Sequence, residues 1–206
     1  MRAAEAFEQL LKDVSASLRN AGWSRAGKTL YIEKCNNWVL INFQKSQKST
    51  SKNLLFTVNI GICSRRLAEF FTPEKVDVRP AVEDCHWRRR VGLLLPDHSD
   101  KWWSIDDRTP LGDLVEEIRS CLEQKAIPEL ERYACDKDMQ LLWLSGHSPG
   151  LTDIQRLMYL SVLLKAAGSP EEMQAVLREL VEVSDGKPVA STVKHHVKLL
   201  QEGNEQ

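Results

Sequence analysis

Between Asn37 and Ile62 two runs, NWVLINFQK and LLFTVNIGI, alternate in polarity on either side of the polar break SQKSTSKN. Successive strand side chains point to opposite faces, so Val39, Ile41 and Phe43 form one row and Trp38, Leu40, Asn42 and Gln44 the other. In the second run Phe56, Val58, Ile60 and Ile62 fall together, leaving Leu55, Thr57, Asn59 and Gly61 opposite. Two strands of this pattern predict a hairpin whose apolar rows lie under helices and whose other face is rich in amides. Asn is depleted in strands and Gly weakens them, so Asn42, Asn59 and Gly61 call for a specific reason.

The helices for that cover are legible on either side. Phe7, Leu10, Leu11, Val14 and Leu18 recur at helical spacing, and Gly22 follows where a left-handed terminator belongs. KTLYIEK alternates before the turn Cys35-Asn36-Asn37, which predicts a further strand. Cys63 to Pro80 reads as a long connection with one helical turn around Leu67 to Phe71, and strand signals return at HWRRRVGLL and KWWSI. A second helix is expected from Thr109 as cap and Pro110 at the first helical position, with Leu111, Leu114, Val115, Ile118 and Leu122 on one side and Pro128 as its end or interruption. Past Asp136 the chain reads as helices only: SPGLTDIQRLMYLSVLLKAAG, SPEEMQAVLRELVEV with a capping box at Ser169 and Glu172, and STVKHHVKLLQEG. The expectation is an α+β domain over 1–136, a mainly antiparallel sheet of about four to six strands packed by an N-terminal and a central helix. An all-helical C-terminal extension over 137–206 follows it. Its apolar stripes need a partner surface, and a homodimer through this tail is one.

Formal net charge is -1 with 28% charged residues, which argues against wholesale coating of nucleic acid or an anionic membrane. Five cysteines, odd in number and widely spaced, read as reduced thiols of a cytoplasmic protein. The N-terminus lacks the continuous apolar segment of a signal or spanning helix, so no membrane association is expected.

The order AGWSRAGKTLYI, INFQKS, FTVNIGIC, DCHWRRRVG and WWSID resembles the bacterial domain-of-unknown-function family numbered 4304, over residues from about 3 to 133. Gln44-Lys45-Ser46, Asn59-Gly61, Arg90-Val91-Gly92 and Trp102-Trp103 are the most specific parts. The resemblance implies an α+β domain without an established activity, and the tail lies outside it.

No catalytic signature is present, and neither a cofactor nor a metal is expected. Gln44-Lys45-Ser46 lacks the Gly-rich approach of a phosphate loop. Cys85 and His86 are adjacent on a strand, where side chains diverge, so with Asp84, Cys35, Cys63 or His98 they make a poor ion site. A Cys85 nucleophile needs a histidine base brought to it by the fold. His195 and His196 diverge on a helix. The expected site is therefore a binding face: Asn42, Gln44, Thr57 and Asn59, bordered by Lys45, Ser46, Arg90 and one of Trp102 or Trp103. Its expected partner is a protein, by fold-level analogy an immunity- or accessory-like target, or an anionic small ligand. An enzyme or ligand-binding protein that clamps an anionic metabolite between Lys45 and Arg90 is the competing reading. Nucleic acid ranks last.

Overall fold

The computed structural model describes residues 2–202. Gly203, which ends the last run read above as helical, lies outside the described residues. Helix α1 (Ala3–Leu18) runs into a 3-10 turn that Gly22 ends at φ 88°. Six strands follow: β1 (Ser24–Ala26), β2 (Thr29–Lys34), β3 (Asn37–Lys45), β4 (Leu54–Cys63), β5 (Trp87–Arg90) and β6 (Trp103–Ile105). They form one antiparallel sheet in the order β1-β2-β3-β4-β5, with β6 pairing β4 beyond the end of β5. Cys35 and Asn36, at φ 52° and 64°, make the two-residue turn between β2 and β3. Two positive φ values in succession match the right-handed twist of a hairpin, and Asn tolerates them well.

Helices α3 (Leu111–Cys121) and α4 (Ile127–Tyr133), joined by a π-helical stretch over Leu122–Ala126, lie with α1 against one face of the sheet. Phe7, Leu10 and Val14 of α1 meet Ile41, Phe43, Phe56 and Ile60 in a continuous buried core. Pro128 stands in the first turn of α4 and so does not end the helical path. Its missing N–H falls beside the π-helical widening, where the ladder is already altered. The helix expected to start at Pro110 starts at Leu111 with Pro110 as its N-cap; the Thr109 hydroxyl, expected to cap it, instead receives the Asp106 N–H at 2.9 Å and closes the preceding turn.

Between β4 and β5, Ser64 caps α2 (Arg65–Phe71) by accepting the Leu67 N–H at 3.2 Å. The tail adds α5 (Asp136–Leu144), α6 (Asp153–Ala166), α7 (Pro170–Ser184) and α8 (Ala190–Glu202). Its capping box sits at Thr152 and Gln155, while Ser169 makes no side-chain cap. The buried residues of the tail, among them Trp143, Leu157, Leu164, Leu180 and Leu200, belong to the same core that underlies the sheet.

The cysteines depart from the expectation of five free thiols. Cys35 and Cys135 form a disulfide across a separation of 100 residues. The β2–β3 turn meets the α4–α5 junction there. Beside it, buried Asn37 donates to the Ala134 carbonyl and to Asp136 Oδ1, both at 2.9 Å, and its own Oδ1 receives the Arg65 N–H. Wide spacing in sequence says nothing about proximity once a turn and a helix junction are folded together. No described helix is long and apolar enough to cross a membrane.

Candidate functional site

The strand register places Asn42 opposite Asn59 and Gln44 opposite Thr57. All four therefore root on one face, the one turned away from α1 and α3. The Asn59 amide donates to Gln44 Oε1 at 2.8 Å, and the Asn42 amide donates to Thr29 Oγ1 at 2.9 Å. Asn59 Oδ1 and the Gln44 NH2 keep unused hydrogen-bonding capacity, and Gln44 is exposed.

This face is partly roofed. Toward one end, Leu40, Cys63, Ala68 and Cys85 form a small second core with Tyr31, Trp38 and Val76. The 3-10 turn over Val82–Asp84 and Cys85 lie directly on Gly61, where an added Cβ would stand 2.7 Å from Cys85 Sγ. That close approach is the physical reason for glycine in mid-strand. Toward the other end, the segment entering β6 crosses Thr57, whose hydroxyl donates to the Lys101 carbonyl at 2.9 Å. Thr57 is fully buried and thus serves the packing of that crossing, contrary to the open position expected of it.

The remaining candidates divide by face. Arg88 pairs with Gly61 and Arg90 with Asn59, so both join the amide face, while Arg89 points to the helices and meets Glu129 at 2.9 Å. Lys45 pairs with Phe56 and roots on the helix side. Lys45 and Arg90 therefore do not converge, which removes the geometric basis for an anion clamp between them. Ser46 closes the hairpin loop: its N–H donates to the Leu55 carbonyl and its hydroxyl receives the Lys48 N–H. Trp103 is core, stacked on Phe56 at 5.8 Å with its indole N–H donated to Glu117. Trp102 is the exposed member of the pair, 37% accessible, with the Arg90 guanidinium 5.4 Å over its ring. Asp100 accepts from both Arg90 and the Trp102 indole, and the Arg90 bond holds its carboxyl below the usual range.

Gln44, Asn59, Arg88 and Arg90 thus line one groove of about 620 Å³, together with Val82, Leu93, Pro149 and Gly150. Pro149 and Gly150 come from the loop between α5 and α6, which sequence reasoning did not place near the sheet. Gly150, at φ 77°, sits so close to β5 that a Cβ there would lie 2.9 Å from the Arg88 carbonyl. SPG, read above as the opening of a helical run, is instead a turn before α6, which starts at Asp153. Arg88 binds only carbonyls, those of Glu83 and Gly150, so among the described residues its charge has no carboxylate partner. What the groove offers is two amide edges and a guanidinium bonded to no carboxylate, with Glu83 also in the lining.

Cys85 has none of the marks of an activated nucleophile. Burial pushes its thiol well above the usual range, and neighbouring Cys63 and Asp84 push the same way. His86 is buried next to it with Nδ1 accepting the Ser64 N–H at 3.1 Å, and burial lowers its pKa to about 4.

A family model described as a domain of unknown function, DUF4304, matches residues 14–132, more than half of the chain. No curated protein and no solved structure matches it.

Proposed function

The chain belongs to the DUF4304 family of domains of unknown function, and on that premise we propose that it is a binding module which receives a carboxylate-bearing segment of a protein partner in the amide-lined groove. The observation that carries this reading is the Asn59–Gln44 bond beside Arg88. It holds one amide edge of each side chain toward the groove, next to a cation that lacks a carboxylate. An acidic side chain supplies the missing counter-charge through charge-assisted hydrogen bonds, and a peptide backbone offers the donor and acceptor that the two amides need. Trp102 extends the groove with an exposed aromatic surface of the kind that anchors protein interfaces. An accessory or neutralising role toward another protein fits these features.

The reading is tested by selecting a displayed peptide library on the wild-type chain and on Gln44→Ala/Asn59→Ala. Selected sequences enriched in Asp and Glu, retained by the wild type and lost by the double variant, support it. Peptides without acidic enrichment, or equal retention by both proteins, overturn it.

A further inference from the structure

A second cavity, of about 460 Å³, lies beyond the wall formed by Glu83 and Arg88, between α2, the 72–86 connection and the start of α6. We propose that it is a separate binding site for a small organic monocarboxylate with an apolar body. This goes beyond the groove, which is proposed to take a protein segment.

Polar groups without partners stand behind and on the cavity wall. The Trp38 indole N–H and the Arg65 Nε are both buried without a partner among the described residues, and both residues line the cavity. His86 adds a third donor. Because its Nδ1 accepts the Ser64 N–H, the ring proton of the neutral imidazole belongs to Nε2, which has no partner among the described residues. These groups are gathered around one point of the chain. Arg65 follows Ser64, and its guanidinium lies 5.2 Å over the Trp38 ring. Of these groups the His86 Nε2–H is the donor left for an acceptor in the cavity, while Trp38 and Arg65 back it from beneath.

Charge points to an anion. Arg65, Lys75, Arg79 and Arg88 line the cavity against the carboxylates of Glu83 and Asp84. Arg65 is already engaged with Glu33 at 3.0 Å and lies 3.6 Å from Asp77. Arg79 stands 4.8 Å over Tyr31 and has no carboxylate partner among the described residues. Ala68, Phe71, Val76 and Leu151 give the wall an apolar part, beside Thr72, Gln155 and the Cys63 thiol, which burial holds protonated with its pKa raised to about 11. A bare inorganic anion leaves that wall uncovered, whereas an organic acid places its carboxylate on the donors and its body against Phe71 and Val76. The volume suits a ligand of that size.

The test titrates the full chain with phenylacetate, with phenylacetamide as the uncharged isostere and with inorganic phosphate. Binding is read from the Trp38 indole N–H resonance and from calorimetry. Phenylacetate is expected to move that resonance and to bind at least roughly tenfold more tightly than either control, the equivalent of one charge-assisted contact. Arg79→Gln, an exposed substitution that leaves the core untouched, should weaken phenylacetate several-fold without altering capture of acidic peptides by the groove. An unmoved Trp38 resonance overturns the proposal, as does equal binding of the amide or of phosphate. An Arg79→Gln variant that binds phenylacetate as the wild type does overturns it too. Loss of peptide capture alone bears on the groove and leaves the cavity result standing.

Discussion

Gly61 and Cys85 touch so closely that the sheet has no room for a side chain at position 61: a Cβ there would lie 2.7 Å from Cys85 Sγ and 2.8 Å from its Cβ. This contact fixes the Val82–Asp84 turn onto the sheet, and the turn in turn separates the groove from the inner cavity. Gly61→Ala is expected to destabilise the fold by about 1–3 kcal/mol through overpacking. Gly112→Ala, at a helical position with open space around it, should instead raise stability by about 0.4–1 kcal/mol. Urea denaturation of the two variants checks the pair; equal and small effects would contradict the packing of residue 85 on the sheet.

The disulfide between Cys35 and Cys135 closes a loop of 100 residues, for which chain entropy gives about 4–5 kcal/mol of stabilisation. Thiol titration of the unreduced, denatured chain should therefore find the three free cysteines, Cys63, Cys85 and Cys121. Reductant should lower the unfolding midpoint, and Cys35→Ser/Cys135→Ser should reproduce that shift. Five titratable thiols without reductant would contradict the bridge.

Two buried histidines predict a pH dependence. Burial pushes both His86 and His196 below their usual 6.5, to about 4, with His195 adding to the effect on His196. Between those values the unfolded chain binds protons that the folded chain does not. The associated stability is therefore complete above about pH 6.5 and falls as pH drops toward 4, by up to about 1.4 kcal/mol per pH unit for each histidine. His196 packs flat against Phe71 at 5.7 Å, with its Nε2 2.9 Å from the Ser161 hydroxyl. His196→Gln should lose stability at pH 7 and show a shallower decline from pH 6.5 to 4.5. An unchanged slope in chemical denaturation would contradict a neutral buried imidazole.

Gln44 and Asn59 are expected to matter for binding and not for folding. Gln44 is exposed and Asn59 half-buried, and each can return its freed hydrogen bonds to water. Gln44→Ala/Asn59→Ala should thus unfold within about 0.5 kcal/mol of the wild type. A larger loss in thermal or urea unfolding would make the pair structural.

Periodicity made the hairpin, α1 and the helical tail legible, because each buries one face and the period of the apolar residues reports it directly. Alternation alone could place Asn42 and Asn59 on one face, and the register then puts them opposite one another. Illegible features were those set by long-range docking. Thr57 is polar by type and buried because a segment 44 residues away crosses it. Lys45 follows Gln44 in sequence, and the alternation that unites Gln44 with Asn59 sends Lys45 to the other side. Helix α5 has a weak stripe, with only Met139 and Trp143 buried, so its period was faint. Pro149 and Gly150 could not be assigned to the groove because nothing local records which strand a turn will meet.

The most direct measurement is a titration of the 15N-labelled chain with an acid-rich peptide, read at the side-chain amides. The NH2 signals of Gln44 and Asn59 are expected to shift progressively, whereas that of Asn42, already donated to Thr29, stays in place, and the Glu-to-Gln form of the peptide is expected to have no effect. Unmoved Gln44 and Asn59 signals at saturating peptide, or the same shifts from the neutral form, would contradict it.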